Sequence, residues 1–136
     1  MQTRQKTPIK DILTVFAVQV IYCKVIFFIL YLLFGLTLCN GEKTLDMFLL
    51  AVIIAPIVEE FLYRYVPLKI AKNYFRKNII TIAIASSVIF GLHHGSVLNI
   101  PIQGVFGLLF TWVYIRNGLP YAILSHALWN LYCFIS

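Results

Sequence analysis

The chain has 136 residues, of which 61% are hydrophobic and only 12% are charged, with a formal net charge of +6. Its mean hydropathy is +0.89. Soluble domains carry about 25% charged residues, so this composition excludes an ordinary soluble protein and indicates a membrane protein. The positive charge does not indicate a nucleic-acid partner, because the basic residues flank apolar runs and form no soluble domain. It is explained by cytoplasmic loops beside anionic membrane lipid.

Apolar runs recur along the whole chain, separated by short polar connections. A helix needs about 17 to 25 residues to cross a bilayer, and the last two runs are shorter than the others. We predict an all-α integral membrane bundle with about five transmembrane helices. The predicted spans are Ile12 to Leu38, Leu45 to Leu68, Ile79 to Val97, Ile100 to Ile115, and Tyr121 to Ile135.

The first apolar run follows a basic segment, as a signal peptide does. However, it is too long for the apolar part of a signal peptide, it contains Lys24, and it ends in LTLCNGEK without a small-residue cleavage site. We predict a retained helix. The chain then divides into residues 1–44, a basic segment with the first span, and residues 45–136, a helical core, within one compact domain.

Charge placement predicts an orientation. Basic residues precede the first span and crowd the second connection, and a single arginine marks the fourth, whereas the first connection is slightly acidic and the third has no charge. By the positive-inside rule, the N-terminus is cytoplasmic and the C-terminus lies outside. The residues that carry this pattern are Arg4, Lys6, Lys10, Glu42, Lys43, Asp46, Lys69, Lys72, Arg76, Lys77 and Arg116.

The three cysteines, Cys23, Cys39 and Cys133, lie in or next to predicted spans without CxxC spacing. They are interpreted as small buried hydrophobic residues and not as redox groups or metal ligands.

The second span carries the densest charge, in the sequence VEEFLYR. Glu60 and Arg64 are four residues apart and can pair on one helix face, while Glu59 points about 100° away. Because apolar residues often replace a buried ion pair without loss of stability, a retained pair favours a function. Pro56 lies one turn before Glu59 and has no backbone N–H. The Val52 carbonyl, four residues earlier, is therefore predicted to lack its helical hydrogen-bond donor.

Two later spans supply imidazole and amide groups. Phe90 and His94 share a face of the third span, and His126 and Asn130 share a face of the last. A carboxylate such as Glu59 beside His94 can activate water, and neutral His and Asn can donate hydrogen bonds to an oxyanion. The alternative for His126 and Asn130 is hydrogen bonding between helices, and the sequence does not choose between the two.

These segments resemble the family of type II CAAX prenyl endopeptidases and bacteriocin-processing enzymes, abbreviated CPBP. EEFLYR corresponds to the EExxxR motif, FGLHH to FxxxH and HALWN to HxxxN, in the family's order, between about Leu49 and Leu131. The resemblance implies an intramembrane endopeptidase in which Glu59 and His94 activate water and His126 and Asn130 stabilise the oxyanion. The supporting residues are Glu60, Arg64 and Phe90.

The resemblance leaves metal dependence open, because the family has been described both as metalloproteases and as glutamate-dependent proteases. Glu59, His94 and His126 are the three ligands that zinc can take here, but no HExxH motif fixes two of them on one helix. We favour a site without a metal or other cofactor.

Several expectations depend on these assignments. The substrate is a membrane-associated or lipidated peptide, and the membrane is that of a bacterial cell, a guess from the small size. A homo-oligomer or a membrane partner is plausible because so small a bundle shields a cavity poorly. The alternative functions are a non-catalytic binding or bacteriocin-immunity protein and, less favoured, an ion pathway.

The depth of the catalytic groups poses a difficulty. At about 1.5 Å per residue, His94 lies about 22 Å along its helix from Ile79, whereas His126 lies only about 9 Å past Pro120. Helix tilt, or a turn that dips into the bundle, has to bring them to one level.

Overall fold

The computed structural model describes residues 7–34, 43–75, 78–95 and 97–136. These residues form five helical segments and no strand, so the all-α prediction is confirmed for the described part of the chain. The segments are α1 (Pro8–Phe34), α2 (residues 45–75), α3 (Ile79–His93), α4 (Val105–Asn117) with a lead-in that starts at Val97, and α5 (Leu119–Ile135).

Two of these segments are long and apolar enough to cross a membrane on their own, Pro8–Leu33 and Val97–Asn117. Two shorter apolar helices, Ile79–His93 and Leu119–Ile135, accompany them. The five apolar runs of the sequence therefore correspond to five helical segments, and their crossing of the membrane five times stays a prediction.

The α2 segment alternates between α-helical and wider π-helical turns. Its α-helical stretches are Leu45–Phe48, Ala55–Glu60 and Val66–Ile70, and its π-helical stretches are Leu49–Ile54, Phe61–Tyr65 and Ala71–Phe75. The backbone stays in the right-handed helical region at each junction, so the segment is one continuous rod. π-helical turns are frequent at functional sites, and both EEFLYR glutamates lie between two of them.

Local chemistry explains where the helices begin and end. Thr44 precedes α2, and its hydroxyl accepts a hydrogen bond from the Met47 amide at 3.3 Å, as an N-cap does. Gly118 separates α4 from α5 with a φ of 98°, a conformation that favours glycine, and Pro120 lies in the first turn of α5. A tight turn therefore lies between these two helices.

The bundle is apolar outside and partly polar inside. Large apolar side chains such as Ile21 and Phe28 are more than 60% exposed on α1, while Glu60 and Arg64 are 0% exposed. A core of Phe106, Phe110 and Trp129 joins α4 to α5, and residues of α1 pack against it. This inverted distribution is the one expected when lipid replaces water around the protein.

Basic residues of separate helices gather at one end of the bundle. Asp11, near the start of α1, accepts hydrogen bonds at 2.9 Å from both Arg116 and Asn117, at the end of α4. Lys69 and Lys72 line a cavity together with Arg116. The start of α1 and the ends of α2 and α4 therefore lie at the same end.

Some sequence expectations fall outside the described residues. Arg4, Lys6, Cys39, Glu42, Arg76 and Lys77 belong to this group. Of the remaining cysteines, Cys23 is half-buried and Cys133 is exposed on the surface of α5, so the expectation of burial is wrong for Cys133. An exposed cysteine is tolerated there because the surrounding surface is apolar. Lys24 is likewise exposed on α1.

Candidate active site

His126 on α5 lies between the two glutamates of α2. Its Nδ1 is 2.9 Å from Glu60 Oε1, and its Nε2 is 3.7 Å from Glu59 Oε2. An ionised carboxylate can only accept hydrogen bonds, so Nδ1 carries a hydrogen and donates a hydrogen bond to Glu60. His126 itself is buried, with its ring stacked at 4.5 Å on Phe110. The imidazole thus lies between the two carboxylates in a fixed ring orientation, hydrogen-bonded to Glu60 and near Glu59.

Arg64 is the fourth charged group of this cluster. Its Nε lies 3.4 Å from Glu60 Oε2, and its guanidinium carbon lies 4.5 Å from the centre of the Phe90 ring. Both side chains of the pair are 0% exposed. A buried carboxylate is costly unless a positive group compensates it, so Arg64 and His126 together account for the burial of Glu60.

Space for the Arg64 guanidinium comes from Gly107 on α4. A methyl group at position 107 would lie 3.2 Å from Arg64 Nη2, 3.2 Å from Phe90 Cδ1 and 3.1 Å from Ser87 Cβ. Any larger residue would therefore press on the guanidinium and the ring below it. Sequence reasoning missed Gly107, because a single glycine in an apolar helix shows no signal until its neighbours are known.

Phe90 lies between the two histidines of the site. Its ring centroid is 4.7 Å from that of His94 and 5.8 Å from that of His126, in edge-on arrangements. Tyr63 of α2 packs on the same ring at 5.4 Å. Phe90 is fully buried, and it fixes the relative positions of the imidazoles through packing alone.

His94 terminates α3 and is exposed. Its Nδ1 is 2.8 Å from the Phe90 carbonyl oxygen, which can only accept, so Nδ1 carries the proton and Nε2 of the neutral ring is free to accept one. Asn99 donates a hydrogen bond at 2.7 Å to the His94 carbonyl and holds the end of α3 in place. Within the described residues, the close carboxylate–imidazole contacts both involve His126 and not His94.

Asn130 bonds to the backbone of α2. Its Nδ2 donates to the Ala51 carbonyl at 2.8 Å. In the π-helical stretch the Ala55 amide bonds to the Leu50 carbonyl, five residues earlier, and the same pattern would pair Ala51 with residue 56. Residue 56 is Pro56, which has no N–H, so Asn130 supplies the missing donor. The carbonyl that the site uses is one residue earlier than the predicted Val52, because the turn is π-helical.

Replacing Asn130 by Ala is expected to lower the free energy of unfolding by about 1 to 3 kcal/mol, because the Ala51 carbonyl then lacks its donor. Thermal unfolding in detergent measures this loss. Asn130→Asp provides a sharper comparison, since it keeps the size of the side chain but places an acceptor against an acceptor. A stability equal to that of the wild type in both variants would show that the bond contributes nothing.

The short distance of His126 from the start of its helix does not keep it away from Glu59. Their side chains approach to 3.7 Å, since residues 55–60 of α2 pack directly against α5. His126 and Glu59 therefore lie at the same level of the bundle. Phe90, four residues before His94, extends the cluster to the end of α3.

A zinc ion would need three converging ligands. The described residues contain no group of three or more His, Cys, Asp or Glu side chains placed to hold a metal ion. In this arrangement each of Glu59, His94 and His126 has a protein contact, Glu59 with His126 and His94 with the Phe90 carbonyl. No step of the chemistry below is assigned to a metal.

The apolar exterior of the helical bundle is that of a membrane protein. Its buried cluster of carboxylate, imidazole and guanidinium groups is a candidate functional site. The family model for type II CAAX prenyl endopeptidase Rce1-like proteins matches residues 41–132, more than half of the chain. The chain belongs to this family of membrane-embedded CAAX-type proteases, so the resemblance seen in the motifs is confirmed. No curated protein and no solved structure matches the chain significantly.

Proposed function

We propose that this protein is an intramembrane endopeptidase that hydrolyses a peptide bond in a membrane-associated or lipidated peptide, with Glu59 as general base. The observation that carries the proposal is the position of His126 between Glu59 and Glu60 in a member of a protease family. A structural ion pair needs only Glu60 and Arg64. Glu59, the second carboxylate, is not needed for that ion pair and is available for chemistry.

Glu59 has the exposure that a general base needs. Its side chain is 18% exposed, whereas that of Glu60 is 0% exposed, so water reaches only the first of the two carboxylates. The 3.7 Å separation from His126 Nε2 exceeds a hydrogen bond and leaves the Glu59 oxygens free to accept from water. Glu59 takes a proton from water as the oxygen attacks the peptide carbonyl, and it then delivers that proton to the leaving amine.

His94 assists at the same carbonyl. With Nδ1–H held by the Phe90 carbonyl, Nε2 of this exposed ring keeps a lone pair for water or substrate. This tautomer orients water or accepts a proton. Phe90 keeps His94 near the His126 cluster through ring contacts on both sides.

The oxyanion is stabilised by His126 and Asn130. To donate from Nε2 while Nδ1 donates to Glu60, His126 has to carry both ring protons, and the cluster of two glutamates, Arg64 and His126 is then neutral. Asn130 has two amide hydrogens, of which the Ala51 carbonyl takes one. The second hydrogen is available to substrate, so bonding between helices and oxyanion stabilisation are compatible roles for Asn130.

The orientation is proposed with the basic end in the cytoplasm, which places the N-terminus inside and the C-terminus outside. The clustering of Lys69, Lys72 and Arg116 at the end where α1 starts supports it. A bacterial cell membrane stays an expectation from size. The apolar exterior suits a peptide delivered through the lipid phase, and a prenylated tail belongs to this class.

The test is a cleavage assay with the purified protein in lipid nanodiscs and peptides that carry a C-terminal CAAX sequence, with and without a farnesyl group. Mass spectrometry of the products is expected to show an internal cut. His94→Ala is expected to lower the rate about 10²-fold through loss of acid–base assistance. His93→Ala is the matched control, since His93 lies on the same turn and is also exposed.

Two outcomes would contradict the proposal. If the wild type releases no fragment from any peptide but still binds one, the protein is a binding or immunity protein. If a chelator abolishes cleavage and added zinc restores it, the metal-free chemistry is wrong. Equal rates for His94→Ala and His93→Ala would remove His94 from the mechanism and leave Glu59 as the tested base.

A further inference from the structure

A cavity separate from the glutamate and histidine cluster lies at the basic end of the bundle. It measures about 650 Å³ and opens between the end of α2, the start of α3 and the connection from α4 to α5. Its polar lining includes Lys69, Lys72 and Arg116, and no carboxylate of the described residues lines it. The cavity is large enough for a phosphate-bearing headgroup, and its charge selects an anion.

Lys69 is held at this cavity. Its Nζ donates a hydrogen bond to the Tyr65 hydroxyl at 2.6 Å and lies 4.8 Å from the centre of the Tyr65 ring. The hydrogen bond to Tyr65 raises the pKa of Lys69 above its ordinary value, so the ammonium is charged at neutral pH. A lysine positioned in this way loses less rotamer freedom on binding than a freely moving surface lysine.

Arg116 contributes in a different way. Asp11 accepts from its Nε at 2.9 Å, and the guanidinium carbon lies 4.7 Å from the centre of the Trp112 ring. Asp11 therefore offsets part of the Arg116 charge while fixing the guanidinium at the wall. The net positive charge of the cavity comes mainly from Lys69 and Lys72, which are both exposed.

The apolar part of the lining indicates the source of the anion. Ile79 and Ile115 line the cavity and are 45% and 57% exposed, so they present an apolar surface beside the cations. A soluble phosphate would leave this surface uncovered, whereas the acyl chains of a phospholipid would cover it. The cations and the apolar wall together match an amphipathic ligand with an anionic head.

We propose that this cavity binds the phosphate headgroup of an anionic phospholipid, with Lys69 and Lys72 as its principal contacts and Ile79 and Ile115 against the acyl chains. The site lies outside the proposed catalytic cluster and does not require that the protein be a protease. Binding would fix the basic end of the bundle at the anionic leaflet.

The test measures lipid retention by native mass spectrometry in nanodiscs that contain phosphatidylglycerol and phosphatidylcholine. The wild type is expected to retain phosphatidylglycerol selectively. Lys69→Gln with Lys72→Gln is expected to weaken that binding by roughly tenfold or more, because each substitution removes one cation that attracts the anionic head. Lys10→Gln is the matched control, because Lys10 is an exposed cation near the start of α1 that does not line the cavity.

A second measurement guards against a folding defect and identifies the source of the phosphate. Lys69→Arg with Lys72→Arg keeps the charge and is expected to restore retention. Inorganic phosphate is expected neither to compete with the lipid nor to stabilise the wild type thermally. The proposal is overturned if Lys10→Gln loses as much lipid as the double glutamine variant, or if inorganic phosphate displaces the lipid and stabilises the protein equally.

Discussion

Replacing Glu59 by Gln is expected to lower peptide cleavage by about 10³-fold, because the carboxamide cannot accept the proton of the attacking water. The substitution preserves the size of the side chain, and the carboxylate lies 3.7 Å from His126 Nε2, beyond hydrogen-bond distance, so no hydrogen bond to His126 is lost. The rate is measured by fragment release under single-turnover conditions, which separates chemistry from product release.

Asp46→Asn is the matched control for Glu59→Gln. It makes the same chemical change on the same segment, α2, at an exposed carboxylate in the first turn. Cleavage by this variant is expected to equal that of the wild type. If Glu59→Gln retains cleavage at a rate similar to Asp46→Asn, Glu59 is not the base, and water activation has to be reassigned to His94 or His126.

Replacing Arg64 by Met is expected to destabilise the protein by about 3 to 5 kcal/mol, because it leaves the fully buried Glu60 carboxylate without its guanidinium. The arginine also lies against Phe90, so the aromatic face loses its cation. Thermal or denaturant-induced unfolding in detergent measures the loss. Lys24→Met is the matched control and is expected to change stability little, since Lys24 is exposed on α1.

The double variant with Glu60→Gln and Arg64→Met separates charge from packing. The new carboxamide at position 60 keeps an oxygen that accepts from His126 Nδ1 but carries no charge, so most of the stability is expected to return. If the double variant is as unstable as Arg64→Met, packing in the space beside Gly107 and Phe90 dominates over charge. If Arg64→Met is as stable as Lys24→Met, the ion pair has no stabilising role.

Polar groups at close spacing are readable from the sequence, but their partners are not. The i, i+4 spacing of Glu60 and Arg64 predicts a pair on one helix face, and the structure places them 3.4 Å apart. Sequence reasoning pairs Glu59 with His94, whereas the structure brings it to His126. Contacts within a helix follow from its fixed geometry, while contacts between helices depend on tilt and on crossing points that the sequence does not encode locally.

The backbone register of α2 shows a second limit. Pro56 predicts a free carbonyl one turn earlier, and an α-helical turn would make it that of Val52. The π-helical stretch shifts the pairing by one residue, so Asn130 meets the Ala51 carbonyl. The widening of this turn accompanies packing against α5, and the apolar sequence of Leu49–Ile54 shows no sign of it.

The sequence by itself determined the all-helical membrane architecture, the family and the chemical groups of the site, because composition, apolar length and motif spacing are properties of the chain itself. Only the tertiary structure decided that His126 lies between the two glutamates, that Gly107 makes room for Arg64, and that Lys69 and Lys72 share a cavity with Arg116. Each of these contacts joins helices that are distant in the sequence. These contacts depend on how the helices pack in three dimensions. A helix that moved along its axis by one turn would present different residues to its neighbours.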